Sequence, residues 1–415
     1  MLVKVNTDVR TKYLRVNTIQ EAKQLFGDIS SKERVWRQSV SFDRILNSPR
    51  QRLGIGEHDR VESYVFGNGV YPIEDIESHR RHFPISIKVV ESDEVYLAPG
   101  QVIDFSAKPS EFPWETGNTE LYLYLKIKNL IISRQCKIVV SGNVFVFECD
   151  HLIGDSLGAD KAYINLRHGY YEESNNENQN TSIKDGKNGK RGSHGKSLKG
   201  ESTSFGMFVT EGTDCNMGTK GANGEVGYKG KNGKNGSMLY LADLRFKKLT
   251  GVSKDSIVIQ ARAEDGSPGG YGGNGGDGGK GGNGADGSIT PFGIVQGLKG
   301  GDGGNGGNGG DGGKGGNGGL SSDIFVSIPY STSQIFKIES KPSLGGAGGI
   351  GGKGGKPGKT GENGQYFPID SNSQISSEGK TGLQGTIGKT GKNRPSPKVH
   401  IYESPSTIIE STTKE

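Results

Sequence analysis

The sequence predicts a mainly β protein: a β-rich N-terminal and base domain, sandwich or β-helix-like, carrying six glycine-rich polyproline II-type helices bundled as three hairpins. Three observations predict it. Of 415 residues 71 are glycine, and most of them gather in six runs where glycine recurs at every third residue without a slip. Strand-like segments of alternating apolar residues separate those runs. Only 31% of residues are hydrophobic, too few for an apolar core to hold the whole chain.

Composition shifts near residue 180, and the length suits two or three domains. We read residues 1–83 as a mixed attachment region and 84–180 as a β domain. Residues 181–397 hold the glycine runs with interleaved β segments at 238–265 and 320–341, and 398–415 form a last strand and tail. The net charge of +5 balances 51 basic against 46 acidic side chains, so charge does not call for nucleic acid. Three cysteines, Cys136, Cys149 and Cys215, exclude a disulfide scaffold, and no His spacing completes a metal site. The opening MLVKVNTDVRTKYLRV has no apolar stretch of the length a signal peptide needs, and no run near 18 apolar residues occurs. The expected location is extracellular or particle-associated, without a cleaved signal and without membrane insertion.

In TIQEAKQLFG, Thr18 and Glu21 form a capping box and Gly27 a stop, predicting a short helix with Ile19, Ala22 and Phe26 inward. A second helix is expected over 31–46, facing inward through Val35, Trp36, Val40, Phe42 and Leu46. Arg34, Arg37, Arg44, Arg50, Arg52, Arg80 and Arg81 surround these segments. They read either as a solvated face or as a dock for an acidic partner.

From residue 84 the pattern is that of strands. Leu121, Leu123, Leu125 and Ile127 alternate with Tyr122, Tyr124, Lys126 and Lys128, the period of a half-buried strand. CKIVVSGNVFVFEC reads as a hairpin turning on Gly142 and Asn143, with Cys136 opposite Cys149, Ile138 opposite Phe147 and Val140 opposite Phe145. Two buried thiols are expected there rather than a bridge. Stacked rungs of a β-helix fit the same pattern, so both arrangements stay open.

The six runs are Gly186 to Gly195, Gly218 to Gly236, Gly266 to Gly287, Gly297 to Gly318, Gly346 to Gly364 and Gly379 to Gly391. A period of three is that of polyproline II, which rises about 3.1 Å per residue. Collagen would need more proline and longer tracts, and a calcium-binding β-roll would need a large apolar residue at period nine. A flexible linker has no reason to keep phase. A face made only of glycine admits a neighbouring backbone to hydrogen-bonding range, so main-chain contacts replace an apolar core.

Triplet type then predicts position. The third and fourth runs repeat Gly-Gly-X, with two glycine faces, and are expected at the centre. Their packing glycines include Gly272, Gly275, Gly278, Gly281, Gly303, Gly306, Gly309 and Gly312. The first, second and sixth runs are mostly Gly-X-Y and are expected at the periphery. The fifth begins Gly-Gly-X and changes after Pro357.

The joints between runs alternate between strand-like segments and the tips 196–217, 289–296 and 365–378. The tips carry Phe205, Met207, Phe208, Phe292, Ile294, Tyr366 and Phe367 among small polar residues, the makeup of an adaptable binding surface. These seven are the candidate receptor-binding residues; an apolar plug closing the bundle is the competing reading. Catalytic chemistry is not indicated. Lys196–Ser197, Lys359–Thr360 and Lys389–Thr390 follow glycines, but Lys190, Lys353 and Leu383 stand where a P-loop needs its first glycine. No nucleophile elbow, paired carboxylate motif, zinc signature or Arg-Gly-Gly box is present.

Glycine runs of period three, folded as hairpins with loop-like tips, resemble the polyglycine II receptor-binding adhesins that cap the long tail fibres of T-even-like phages. The likeness covers residues 186–391. It implies a virion structural protein for host attachment, with a polyglycine II bundle, tips that contact a cell-surface protein or glycan, and residues 1–83 docking onto a fibre or larger particle. The expected protein is a non-enzymatic adhesin that needs no cofactor or metal and binds no nucleic acid. The long N-terminal half departs from that pattern. The packing also looks like that of snow-flea antifreeze, so an ice-binding protein is an alternative, as is a secreted toxin or effector with a glycine-rich contact module.

Overall fold

The computed structural model describes residues 9–26, 29–42, 57–69, 83–117, 120–155, 157, 160–168, 184–196, 200–203, 206–209, 217–290, 293–368 and 375–404. Strands dominate, at 32% against 10% helix, in parallel and mixed sheets. Two sheets form the base. The first holds seven strands in the order β1 (Arg10–Val16), β2 (Ile85–Leu97), β4 (Leu121–Ser133), β6 (Asn143–Asp155), β10 (Ala242–Thr250), β14 (Ile324–Pro329) and β16 (Val399–Ser404). The second holds β15 (Phe336–Ser340), β11 (Ile257–Arg262), β7 (Ala162–Arg167), β5 (Lys137–Ser141) and β3 (Val102–Asp104). Every pairing is parallel except that of β1 with β2.

From β2 to β7 the chain alternates between the sheets, and each strand pairs with the next but one. Residues 136–149 are therefore stacked rungs and not the hairpin that the sequence also allowed. Gly142, at φ +69, turns the chain from one sheet to the other. Leu121 pairs with Asn143, and Lys137 pairs with Tyr163. Ile138, Val140, Phe145 and Phe147 meet in the core between the sheets, where they would also have met on one face of a hairpin. That shared alternation is why the sequence alone allowed both. Cys136 and Cys149 are buried in this core as free thiols.

The outer face of the seven-stranded sheet is covered by the N-terminal region. Helix α1 (Ile19–Leu25) starts where Thr18 accepts the Glu21 N–H at 3.1 Å. Ala22 and Phe26 are fully buried and pack with Phe66, Tyr122 and Tyr124, while Ile19 is half-buried beside them. Gly27 lies outside the described residues.

Helix α2 (Ser31–Arg37) is shorter than expected and passes into a π turn at Gln38–Phe42. Its inward face also differs. Val35 is 54% exposed, Trp36 and Val40 are half-buried and Phe42 is buried, whereas Glu33, Arg34 and Arg37 face the protein. The sheet beneath presents Asp243 and Arg245, so charge complementarity sets the helix face instead of apolar spacing. Leu46 lies outside the described residues. A third helix, α3 (Glu57–Phe66), packs against α1.

The glycine-rich segments carry no helix or strand hydrogen-bond pattern of their own. Each run bonds antiparallel to the run before it, as in Gly301 N–H to Gly282 C=O (2.7 Å) and Gly352 N–H to Gly310 C=O (2.8 Å). Each also bonds in parallel to the run two further on, as in Gly186 N–H to Asn274 C=O (2.7 Å) and Gly221 N–H to Asp302 C=O (2.9 Å). Odd and even runs thus form two layers, with hydrogen bonds both within and between them.

The layers continue the sheets. Ala242 and Ile324 pair at a separation that Asn223 and Asn305 keep, 82 residues. Ile257 with Phe336 and Asn274 with Lys353 share 79. Ile324 with Val399 and Asn305 with Lys380 share 75. Along these three pairs no residue is gained or lost between strand and glycine run, whereas β7 pairs with β11 at a separation of 95 and the first run meets the third at 89. A pair of sheets held about 10 Å apart by side chains passes into a pair of layers joined by backbone bonds.

Candidate functional site

Glycine is required where the layers meet. A Cβ at Gly272, Gly275, Gly278 or Gly281 would run into a carbonyl oxygen of the fourth run, at Gly310, Gly307, Gly304 and Gly301 respectively. Gly303, Gly306, Gly309 and Gly312 would likewise meet the fifth run at Gly358, Gly355, Gly352 and Gly349. The second glycine of each triplet faces the run two positions back, as Gly273 faces Lys184 and Gly304 faces Ala222. Runs three and four have partners in both directions and carry two glycines per triplet.

The switch at Pro357 has the same cause. The sixth run begins at Gly379, which bonds to Gly358. Beyond that point no bond joins the fifth run to the sixth among the described residues, and Thr360 and Asn363 take places that glycine holds earlier in the run.

The third position of the triplets has a function the sequence reading missed. Asn and Asp there accept an N–H from the run two further on: Asn274 from Lys353 (2.9 Å), Asp277 from Lys356 (2.7 Å), Asn305 from Lys380 (2.8 Å) and Asn308 from Leu383 (2.9 Å). These groups satisfy donors that no backbone carbonyl reaches. The signal was present in sequence, since Asn and Asp recur at one triplet position, but their acceptors become legible only with the layer order.

The glycines that flank the three joints 196–217, 289–296 and 365–378 lie together at the end of the runs away from the sheets. Gly195 bonds to Asn283 (2.8 Å), Gly218 to Lys299 (3.0 Å), Gly287 to Gln365 (2.9 Å) and Gly297 to Tyr366 (3.2 Å). The first carries β8 (Gly200–Thr203) paired with β9 (Gly206–Val209). The second carries β12 (Ser288–Thr290) paired with β13 (Gly293–Val295).

Of the candidate residues there, Ile294 is 64% and Tyr366 46% exposed, while Phe367 is half-buried. Tyr366 has φ +61, a left-handed conformation that turns the third joint. Met207 and Phe208 belong to β9, whose side chains are outside the described set. Phe205 and Phe292 lie outside the described residues. Met217, Ile289 and Ile375, not singled out from sequence, are also exposed at this end.

At the opposite end, Arg34 and Arg37 fit neither sequence reading, because both are buried within the chain. Arg34 donates to the carbonyls of Val65 (2.7 Å) and Gly67 (3.3 Å). Arg37 meets Glu33 (2.6 Å) and Asp243 (2.7 Å), and Arg245 joins Asp243 (2.6 Å) to Glu148 (2.7 Å). Ser327 bridges Arg37 and Glu33. Arg44, Arg50, Arg52, Arg80 and Arg81 lie outside the described residues.

Among the described residues, no group of three or more His, Cys, Asp and Glu stands ready to hold a metal ion, and no helix is long and apolar enough to cross a membrane. No protein family, curated protein or solved structure matches this chain.

Proposed function

We propose that the six runs are polyglycine II helices bundled as three hairpins, and that the protein is a non-enzymatic adhesin binding a cell-surface protein or glycan through its three joined tips. One observation carries this reading: three separate connections converge at one end of a rigid array and present exposed apolar side chains, Ile289, Ile294, Tyr366 and Ile375, to solvent. Scattered exposed apolar residues are ordinary, but a set displayed on adjoining loops by a rigid scaffold is a recognition arrangement. The hydrogen-bonded layers support the scaffold half of the proposal, since they hold the tip roots in fixed register.

The N-terminal half would dock onto a fibre or larger particle outside the producing cell. With Arg34 and Arg37 turned inward, other groups must make that contact; among the described residues β1 pairs only with β2, and its other edge offers backbone groups for a partner strand. Replacing residues 200–209, 288–295 and 365–378 with Gly-Ser loops in the full chain should abolish binding of labelled protein to a panel of bacterial cells while leaving its circular dichroism unchanged. Undiminished binding by the folded variant would overturn the tip assignment.

A further inference from the structure

Ten Asn–Gly steps lie within the six runs, from Asn188–Gly189 to Asn363–Gly364. Asn–Gly is among the least durable dipeptides in a protein chain, because glycine has no Cβ to hinder its own nitrogen from attacking the preceding carboxamide. As the new N–Cγ bond forms, the glycine nitrogen loses its proton and the carboxamide nitrogen leaves as ammonia, giving a succinimide. Water then opens the ring to aspartate or isoaspartate. Isoaspartate routes the main chain through the side-chain methylene. That extra backbone atom would put every later glycine of the run out of phase with the carbonyls it must admit.

Nine of the ten steps are held in the same way, at two points of one facing residue. The Asn Oδ1 accepts that residue's N–H, and the glycine N–H donates to its C=O. Asn308 and Gly309 hold Leu383 at 2.9 and 2.8 Å, and Asn274 and Gly275 hold Lys353 at 2.9 and 2.8 Å. At the tenth, Asn363 Oδ1 accepts from Gly300 and the Gly364 N–H donates to Leu298, both at 2.9 Å. Asn68–Gly69, outside the runs, lacks this arrangement. Asn68 is exposed with no side-chain hydrogen bond among the described residues, and the Gly69 N–H reaches the Ser63 C=O only at 3.4 Å.

We propose that this two-point clamp shields the ten steps from deamidation, leaving Asn68 as the Asn–Gly step that converts in the native chain. Ring closure needs the peptide plane after Asn to turn until its nitrogen faces Cγ. That turn draws the glycine N–H off its carbonyl, and the carboxamide must leave its donor at the same time. Only local separation of two runs frees both. The glycine phase that packs the array is thus kept by the same bonds that the array creates.

The test incubates the full chain in mildly alkaline buffer with and without urea and quantifies isoaspartate at each step by peptide mapping. In native buffer the ten steps should convert at least about tenfold slower than in urea, since separation of two runs must precede the chemistry, and slower than Asn68. Leu383→Pro removes the donor to Asn308 yet keeps the extended backbone, as Pro268 does at the same triplet position of the third run. It should speed conversion of Asn308 about two- to tenfold, the worth of one hydrogen bond, and leave Asn274 unchanged. Lys353→Pro should do the reverse. Clamped steps that convert in native buffer as fast as in urea or as fast as Asn68, or proline variants with parental circular dichroism whose freed Asn stays as slow as in the parent, would each overturn the proposal.

Discussion

Arg37 and Asp243, 206 residues apart, form a bidentate ion pair in which both side chains are wholly shielded from solvent. Helix α2 is thereby tied to strand β10, the strand fed by the second glycine run. Breaking one partner of a buried pair leaves an uncompensated charge. Asp243→Ala should cost about 3–5 kcal/mol, read as a lowered guanidinium midpoint. A shift under about 0.5 kcal/mol would show that the network is not structural.

Burial alone would push the Asp243 carboxyl up, but the guanidinium groups of Arg245 and Arg37 outweigh it and hold the group well below the usual carboxylate range. A depressed folded-state value contributes stability that is fully present above the unfolded value of about 3.9 and lost as pH falls below it. The stability gap between the parent and Asp243→Ala should therefore be constant from pH 8 to pH 5 and narrow below about pH 4. Denaturation curves at stepped pH measure it.

Gly304→Ala places a methyl group against the Ala222 carbonyl in the middle of the array. Two segments must then separate, at about 1–3 kcal/mol. Thr390→Ala, on the exposed outer side of the sixth run, should change stability by under about 0.5 kcal/mol. Limited proteolysis should show faster cleavage within the glycine runs for the first variant alone.

Asn308→Ala removes the acceptor for the Leu383 N–H and leaves the glycine contacts intact. Because water can replace part of the lost bond, the expected cost is about 0.5–1.5 kcal/mol. Amide exchange should speed up at Leu383 and stay unchanged at Gly309, whose bond to the Leu383 carbonyl is backbone only.

Burial pushes the Cys136 thiol up to about 11 and the Cys149 thiol up to about 12. Neither forms an appreciable thiolate near neutrality. Iodoacetamide at pH 8 should leave both unmodified in the native protein and alkylate both in urea, as peptide mapping would read. Native alkylation of either would mean that the core opens locally.

Much of the local structure was legible. Thr18 and Glu21 marked the start of α1, and Leu121 to Ile127 marked a strand, because capping and alternation are properties of neighbouring residues. The inward face of α2 was not legible, since Glu33 and Arg37 face inward only because Asp243 comes to lie beneath them from the far side of the chain. The tip residues Ile294 and Tyr366 were identified from their setting between runs.

Glycine phase by itself determined which segments can admit another backbone, and where that requirement ends, as at Pro357. Those limits follow from the volume of a single Cβ, which the sequence specifies residue by residue. Only the tertiary structure decided that residues 136–149 cross between sheets instead of folding back, and that the register of the strands carries unbroken into the second to sixth glycine runs. Both depend on which distant segments pair, and alternation along one strand is compatible with more than one partner.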